Sequence, residues 1–270
     1  MAFVSTAAFI ESHRNATDAE LARALVETAG GLALSMRDEG LETGQKTSVS
    51  DVVTNADTAA EEFVAETLQA LRPDDGIVGE EGAAKASISG RTWVIDPVDG
   101  TYNFASGSDY FCSAVALVEG DVRDPERILV SAIHRPALAT TWIADHGTAT
   151  RNGRELDKLV DAPLPHLALA TYLHPTSMKR DGVREAWLRA ANQAATVRMF
   201  GAGSIDLATV ASGGIGGWLQ HSVADWDWLP GKALIEAAGG KAIKVDAGGV
   251  TWCVAGNEQL VDEVADLLAG

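Results

Sequence analysis

Positive charge is what this chain has least of. Its 270 residues carry 21 Lys and Arg against 38 Asp and Glu, a formal net charge of −17. A nucleic-acid backbone or an anionic membrane surface needs lysine and arginine to meet it, so neither is expected as a partner. Long apolar runs are missing as well. No stretch approaches the length of a membrane span, and the opening segment MAFVSTAAFIESHRN lacks a basic leader ahead of its short apolar patch. A cytoplasmic protein without a signal peptide is expected. Cysteine is scarce too: Cys112 and Cys253 each sit inside an apolar run, YFCSAVALV and VTWCVAG, with no His or second Cys at metal-ligand spacing. Two buried free thiols are expected rather than a disulfide.

What is present is enough apolar sequence, 46%, for one large domain or two closely packed halves. The helical spacing of Leu21, Leu25, Ala29, Leu32 and Met36 predicts a helix over 18–36 with Gly40 as its stop. A second helix is expected over 57–71, closed by Pro73, with Phe63, Val64 and Leu68 inward. Short apolar segments at 77–78, 93–95, 111–118, 128–133 and 140–144 read as consecutive strands joined by tight turns, which favours an antiparallel sheet. The prolines and charges of DKLVDAPLPH, 157–166, mark a boundary. It divides the chain into an N-terminal α+β half, 1–156, and a C-terminal α/β half, 157–270, packed as one compact unit. Beyond it strands are expected at 167–172, 197–200, 217–220, 241–245 and 250–255, with helices at 182–195, 204–212, 228–238 and 258–269. The result is a layered α/β protein with mixed sheets. Trp142, Trp187 and Trp218 read as core packing more readily than as subunit contacts.

Acidic residues collect at the ends of these elements. In WVIDPVDGTYNF an apolar run meets Asp96 and Asp99, and residues three apart on an extended strand face opposite sides. Pro97 and Gly100 allow a bend that brings both carboxylates and the Val98 carbonyl to one point, the oxygen mixture that a hard divalent cation such as Mg²⁺ takes. Alone the pattern reads as an ordinary capped turn. An EF-hand is excluded, because Val98 stands where that loop needs a ligand. GIVGEEG adds Glu80 and Glu81 at another strand end, and VADWDWLPGK adds Asp225 and Asp227 ahead of a helix, where Asp227 suits an N-cap with Pro230 in the first turn. Asp57 opens the 57–71 helix in the same way. Four such clusters are compatible with one shared metal site.

DVVTNAD, GEEG, WVIDPVDGTYNF and DWDWLPGKALIEAAGG, in this order from Lys46 to Gly240, together resemble the inositol monophosphatase family of Mg²⁺-dependent, often lithium-sensitive phosphatases. The resemblance implies a five-layer α-β-α-β-α sandwich, a homodimer, and two to three Mg²⁺ per site. It implies that Glu80, Asp96 and the Val98 carbonyl hold a first Mg²⁺. Asp96, Asp99 and Asp227 hold a second, and Glu80 reaches a third through water. Thr101 and Asp57 then orient and deprotonate the attacking water, while the Gly100 and Thr101 amides face the phosphate. FGAGSIDLATVASGG resembles the segment that contacts substrate through Gly201, Ala202 and Gly203. Metal cations let a phosphate monoester enter so acidic a site, and phosphoryl transfer then needs positioning and charge neutralisation rather than a Cys or His nucleophile.

The sequence departs from the family pattern in two places. Gln220 stands where inositol-specific members carry a glutamate for sugar hydroxyls, and WLPGK follows Asp227 in place of a run of small residues. His221, beside the expected pocket wall, reads as an ordinary packed or surface residue. Inositol 1-phosphate is the expected substrate. Histidinol phosphate is the next, followed by adenosine 3′,5′-bisphosphate and fructose 1,6-bisphosphate, whose extra phosphate calls for a basic patch that is not seen near Gln220. The full set of carboxylates with Thr101 favours an enzyme over a non-catalytic metal-binding regulatory protein.

Overall fold

A computed structural model of the chain describes residues 5–45 and 52–270. Lys46, where the family motifs begin, and Asp51, the first residue of DVVTNAD, lie outside the described residues. The first half runs α1 (Thr6–Ser12), α2 (Asp18–Glu39), β1 (Thr43–Gln45), β2 (Val52–Thr54), α3 (Asn55–Leu71), β3 (Gly76–Gly79), β4 (Ala84–Lys85), β5 (Arg91–Asp99) and α4 (Thr101–Ala105). A meander follows: β6 (Cys112–Asp121), β7 (Asp124–Arg135), β8 (Thr140–Asp145), β9 (Thr148–Arg151) and β10 (Arg154–Glu155). The chain then continues through β11 (Ala168–Tyr172), α5 (Asp181–Ala191), β12 (Thr196–Arg198), α6 (Gly203–Ala211) and β13 (Gly217–His221). It closes with α7 (Asp225–Ala237), β14 (Lys241–Ala247), β15 (Val250–Gly256) and α8 (Glu258–Ala269).

Two main sheets result. The larger has eight strands in the order β10-β9-β8-β7-β6-β5-β3-β4, antiparallel except where β3 lies parallel to β5. The smaller has five in the order β12-β11-β13-β15-β14, with β11 parallel to both its neighbours and β15 antiparallel to both of its own. Alternation along the strands places the layers. Trp93, Ile95, Val115 and Leu117 point from β5 and β6 into a cluster with Leu21, Leu25, Phe63, Val64 and Leu68 of α2 and α3. Their neighbours Val94, Ala114, Ala116 and Val118 point the other way, against Ile205 and Leu207 of α6 and Trp228 and Leu234 of α7. The outer face of the smaller sheet is covered by Val183 and Ala186 of α5 and Leu260, Val261 and Val264 of α8. Because β5 and β6 are covered on both faces, they read as unbroken apolar runs. The layers run helix, sheet, helix, sheet, helix, as the resemblance implies.

Most expected elements form within a few residues of their expected bounds, and α8 forms at them. Thr17 and Glu20 close a capping box at the start of α2, and Thr54 and Asp57 close one on α3. α5 stops at Ala191 rather than 195, and β12 stops at Arg198 rather than 200. β5 runs past the apolar 93–95 segment to Asp99, so both aspartates lie inside the strand. Trp142 and Trp218 are buried in the core, Trp187 is packed under the outer helices, and both cysteines are buried and free. Among the described residues no helix is long and apolar enough to cross a membrane.

The N-cap expectation for Asp227 is corrected. α7 begins at Asp225 with Ala224 as its cap, which puts Asp227 in the third helical position and Pro230 in the second turn. Acidic side chains suit the positive end of a helix dipole, so Asp225 and Asp227 favour the earlier start. One turn beyond Asp227, Gly231 meets Leu207 of α6 so closely that a Cβ there would collide with the leucine side chain. This helix crossing sets where Asp227 stands. Replacing Gly231 with Ala should cost about 2 kcal/mol in urea unfolding, the usual penalty for overpacking. A loss under about 0.5 kcal/mol would show that the crossing has slack.

Candidate active site

The strand carrying the two aspartates does not remain regular. Pairing between β5 and β6 shifts register between Asp96 and Asp99, the mark of a bulge, and Gly100 then adopts φ 90° to start α4. The bulge turns Asp99 toward the side that Asp96 faces. Gly100 is required twice over: its left-handed backbone disfavours a side chain, and a Cβ would stand 3.0 Å from that of Ala202 and 3.2 Å from the Gly201 carbonyl. The D-G-T loop therefore lies directly against the 201–203 loop. Asn103 ties the two together, donating to the Tyr110 carbonyl at 3.0 Å and the Phe200 carbonyl at 2.7 Å.

Asp96, Asp99 and Asp227 converge, each with a carboxylate oxygen within 4.8 Å of the others. Asp96 and Asp99 are buried and Asp227 is half-buried. Burial raises the Asp96 carboxyl well above its ordinary range, and the Glu80, Asp99 and Asp227 carboxylates raise it further. Asp227 is likewise raised, by burial and then by Asp99 and Glu80. Burial also raises Asp99, opposed by the Ser204 N–H at 2.5 Å, the Gly203 amide and the Cys112 thiol. One Asp96 oxygen hydrogen-bonds the Val98 amide at 3.1 Å, while the other, Oδ2, is buried without a partner among the described residues. An orphaned carboxylate oxygen among other carboxylates is costly unless a cation meets it. The donor set, carboxylate oxygens with a backbone carbonyl nearby, fits a hard divalent ion.

Beside this cluster the Thr101 hydroxyl lies 2.9 Å from the Val98 carbonyl and 3.0 Å from Asp57 Oδ1. The second Asp57 oxygen accepts from the Thr54 amide at 2.9 Å and from the Thr54 hydroxyl. The expectation that Asp57 opens α3 as its N-cap is corrected: the helix starts at Asn55 with Thr54 as the cap, and Asp57, in the third position, closes the capping box and holds Thr101 at once. Burial raises its carboxyl, and the Thr54 and Thr101 hydrogen bonds oppose the shift.

Glu80, Asp96, Val98, Asp99, Gly100, Thr101, Gly201, Ala202, Gly203, Gln220 and Asp227 all line one cleft of about 560 Å³. Asp57 does not; it is fully buried and reaches the cleft only through Thr101. His221 is absent from the lining and packs edge-on against Trp252 at 5.1 Å. Asp225 pairs with Lys244 at 3.4 Å. Asp206 was not singled out from sequence, yet it lines the cleft and accepts from the Tyr110 hydroxyl at 2.6 Å; burial pushes its carboxyl up to about 7. A carboxylate inside the apolar helix SIDLATVA was the available signal. Tyr102, Tyr172, His174, Met199 and Phe200 also line the cleft, and no sequence pattern marks them as a group.

The profile of the inositol monophosphatase family matches residues 14–265. A histidinol-phosphatase of Mycobacterium tuberculosis is 32% identical over 78% of this chain and 82% of its own length. An inositol-1-monophosphatase of Rhizobium meliloti is 31% identical over 81% and 83%. Among solved structures, an extragenic suppressor protein from Bartonella henselae superposes with a TM-score of 0.80 at 24% identity, covering 91% of this chain and 95% of its own. An inositol monophosphatase from Thermotoga maritima gives 0.77 at 24% identity over 91% and 94%, and both likenesses speak to the fold. With the match spanning both sheets and every cleft-lining carboxylate described above, the chain belongs to the inositol monophosphatase family of metal-dependent phosphatases.

Proposed function

We propose that the chain is a Mg²⁺-dependent phosphomonoesterase for a small phosphorylated alcohol, with water as the attacking group. The observation that carries this reading is the buried cluster of Asp96, Asp99 and Asp227, with its orphaned oxygen, beside the Thr101–Asp57 pair. Glu80, Asp96 and the Val98 carbonyl would hold one Mg²⁺; Asp96, Asp99 and Asp227 would hold a second, and Glu80 would border a third. When bound, the metal supplies positive charge toward the phosphate and lowers the pKa of a coordinated water. The chain's own groups do the rest. Thr101 orients the attacking water, and Asp57, held by Thr54 and Thr101, accepts the proton passed along the threonine hydroxyl. The Gly100 and Thr101 amides face the phosphate. Cys112, the thiol beside Asp99, has its pKa pushed well up by burial and then by Asp99 and Asp96, which disfavours it as a nucleophile and supports direct attack without a phosphoenzyme.

Residues 1–156 and 157–270 then act as one catalytic unit, the first half bringing most ligands and the second Asp227 and the 201–203 loop. Family resemblance supports a homodimer, and two buried unpaired thiols support a reducing, cytoplasmic setting. Inositol 1-phosphate is the substrate supported by relatives named inositol-1-monophosphatase. A second reading is favoured by the cleft mouth. Tyr102, Tyr172, Met199 and Phe200 are 38–57% exposed there, and Gln220 offers hydrogen bonds without charge. Such a wall suits an alcohol bearing a flat ring, as histidinol phosphate does.

Three outcomes test these assignments. Asp96→Asn should lower Mg²⁺-dependent phosphate release by about 1,000-fold or more while raising the melting temperature in EDTA, because a buried like charge is removed. Unchanged activity in that variant would sink the metal-site reading.

The raised carboxyls make a separate prediction about pH. A folded-state pKa above the unfolded one means that the folded protein binds more protons, so its stability falls as pH rises from the ordinary carboxylate range through the raised values. In EDTA the protein should melt higher at about pH 6 than at about pH 7.5, and Mg²⁺ should narrow that difference to the share of Asp206, whose carboxyl is pushed up to about 7. Equal melting without metal would show that the cluster carries no net strain.

In a panel of phosphate esters, Phe200→Ala should lower kcat/KM about 10-fold for histidinol phosphate and under about 2-fold for inositol 1-phosphate. If the loss is the same for both, the aromatic wall does not select the substrate.

A further inference from the structure

The turn that carries Glu80 is built around a second carboxylate, one the chemistry above does not use. Glu61 lies on α3 four residues beyond Asp57, on the same face of the helix, and is 3% exposed. Each of its two oxygens accepts a backbone N–H. The Glu81 amide donates to Oε2 at 2.8 Å and the Ala83 amide to Oε1 at 2.7 Å. The turn between these amides is closed by the Gly79 amide on the Ala83 carbonyl at 2.8 Å and joined to β5 by the Glu80 amide on the Ile95 carbonyl at 3.2 Å. A Cβ at Gly79 would collide with the Glu61 carboxylate, so the glycine is what lets that group sit under the turn. With the amides drawn inward, the Glu80 side chain emerges on the cleft side, against Asp96.

We propose that Glu61 is a positioning residue for Glu80: its carboxylate fixes the 79–83 turn so that Glu80 is held at the metal cluster. This assignment rests on Glu80 being a metal ligand. The chemistry requires a carboxylate. Two converging amides need two acceptor oxygens, and a glutamine would turn an NH₂ group toward one of them, leaving two buried donors face to face. A loosened turn must be ordered each time metal binds, so the loss falls on metal affinity rather than on the rate at saturation. Asp57 and Glu61, one helical turn apart, thus make α3 the support for both Thr101 and Glu80.

A double-mutant cycle on Mg²⁺ binding tests this, read by calorimetry without substrate and by the Mg²⁺ dependence of activity. Glu61→Gln should weaken Mg²⁺ binding about 10-fold or more, with kcat at saturating Mg²⁺ within about 3-fold. In a Glu80→Gln background the same change should add under about 2-fold, because its route to the metal is already gone. Gly79→Ala, which keeps the carboxylate but displaces it, should reproduce the loss and serves where Glu61→Gln folds poorly. Wild-type Mg²⁺ affinity in Glu61→Gln and Gly79→Ala overturns the assignment. So does an equal loss in both backgrounds, which is what a general structural defect would give. If Glu80→Gln weakens binding and Glu61→Gln does not, only the positioning role falls. If Glu80→Gln binds Mg²⁺ like the wild type, Glu80 is no ligand, and the positioning role falls with it.

Discussion

Mutual repulsion among buried carboxylates is the constraint around which this molecule is arranged. Asp96, Asp99 and Asp227 stand within 4.8 Å of one another at the meeting of two sheets and two helices. Burial and like charge both disfavour their ionised forms. Such a cluster persists only if the surrounding structure over-determines it. Each aspartate is accordingly held by an element with its own large buried face. Asp96 and Asp99 are on β5, which has helices against both faces, and Asp227 is on α7 between the sheets. The packing energy of those layers is what holds the charges together in the absence of a cation.

Helix starts provide the local compensation. Asp57 and Asp227 occupy the same third position in the first turns of α3 and α7. Asp99 accepts the Ser204 N–H from the first turn of α6. In all three, a carboxylate meets the positive end of a helix dipole, where free N–H groups are otherwise unsatisfied. Asp57 and Asp99 have such bonds from backbone amides, whereas Asp96 Oδ2 has none among the described residues. The oxygen left over is therefore the one best placed to need a metal.

Much of this was legible in the sequence because it is written in local patterns. Helical and strand periodicities placed most of the helices and strands, and the unbroken apolar run of β6 followed from cover on both faces. WVIDPVDGT announced a strand ending in metal-type oxygens beside a bend. What stayed hidden depends on register and distance. The bulge between Asp96 and Asp99 is a pairing property of β5 with β6, and no residue type alone specifies it. The start of α7 was misplaced because a Pro after an Asp resembles a first turn, while the helix begins earlier and carries Pro230 inside. Asn103, Asp206 and Glu61 act through partners 7 to 98 residues away, as in the bonds of Asn103 to Tyr110 and Gly201, so their roles appear only once the chain has folded.

The same electrostatics bears on which phosphate esters can enter. At a net charge of −17 the protein repels anions at long range, and among the described residues lining the cleft there is no Lys or Arg. Attraction for a phosphate must therefore come from cations held at the inner end, beside Asp96, Asp99 and Asp227. A single phosphate can sit there. Of the other described residues lining the cleft, Tyr102, Tyr172, Met199, Phe200 and Gln220 carry no positive charge, and His174 is the one imidazole. Desolvating an extra charge without a partner is unfavourable, so a lining without Lys or Arg gives a second phosphate little compensation. Carboxylate charge is concentrated at the inner end of the cleft, while the rest of its lining is largely aromatic and polar and includes the His174 imidazole.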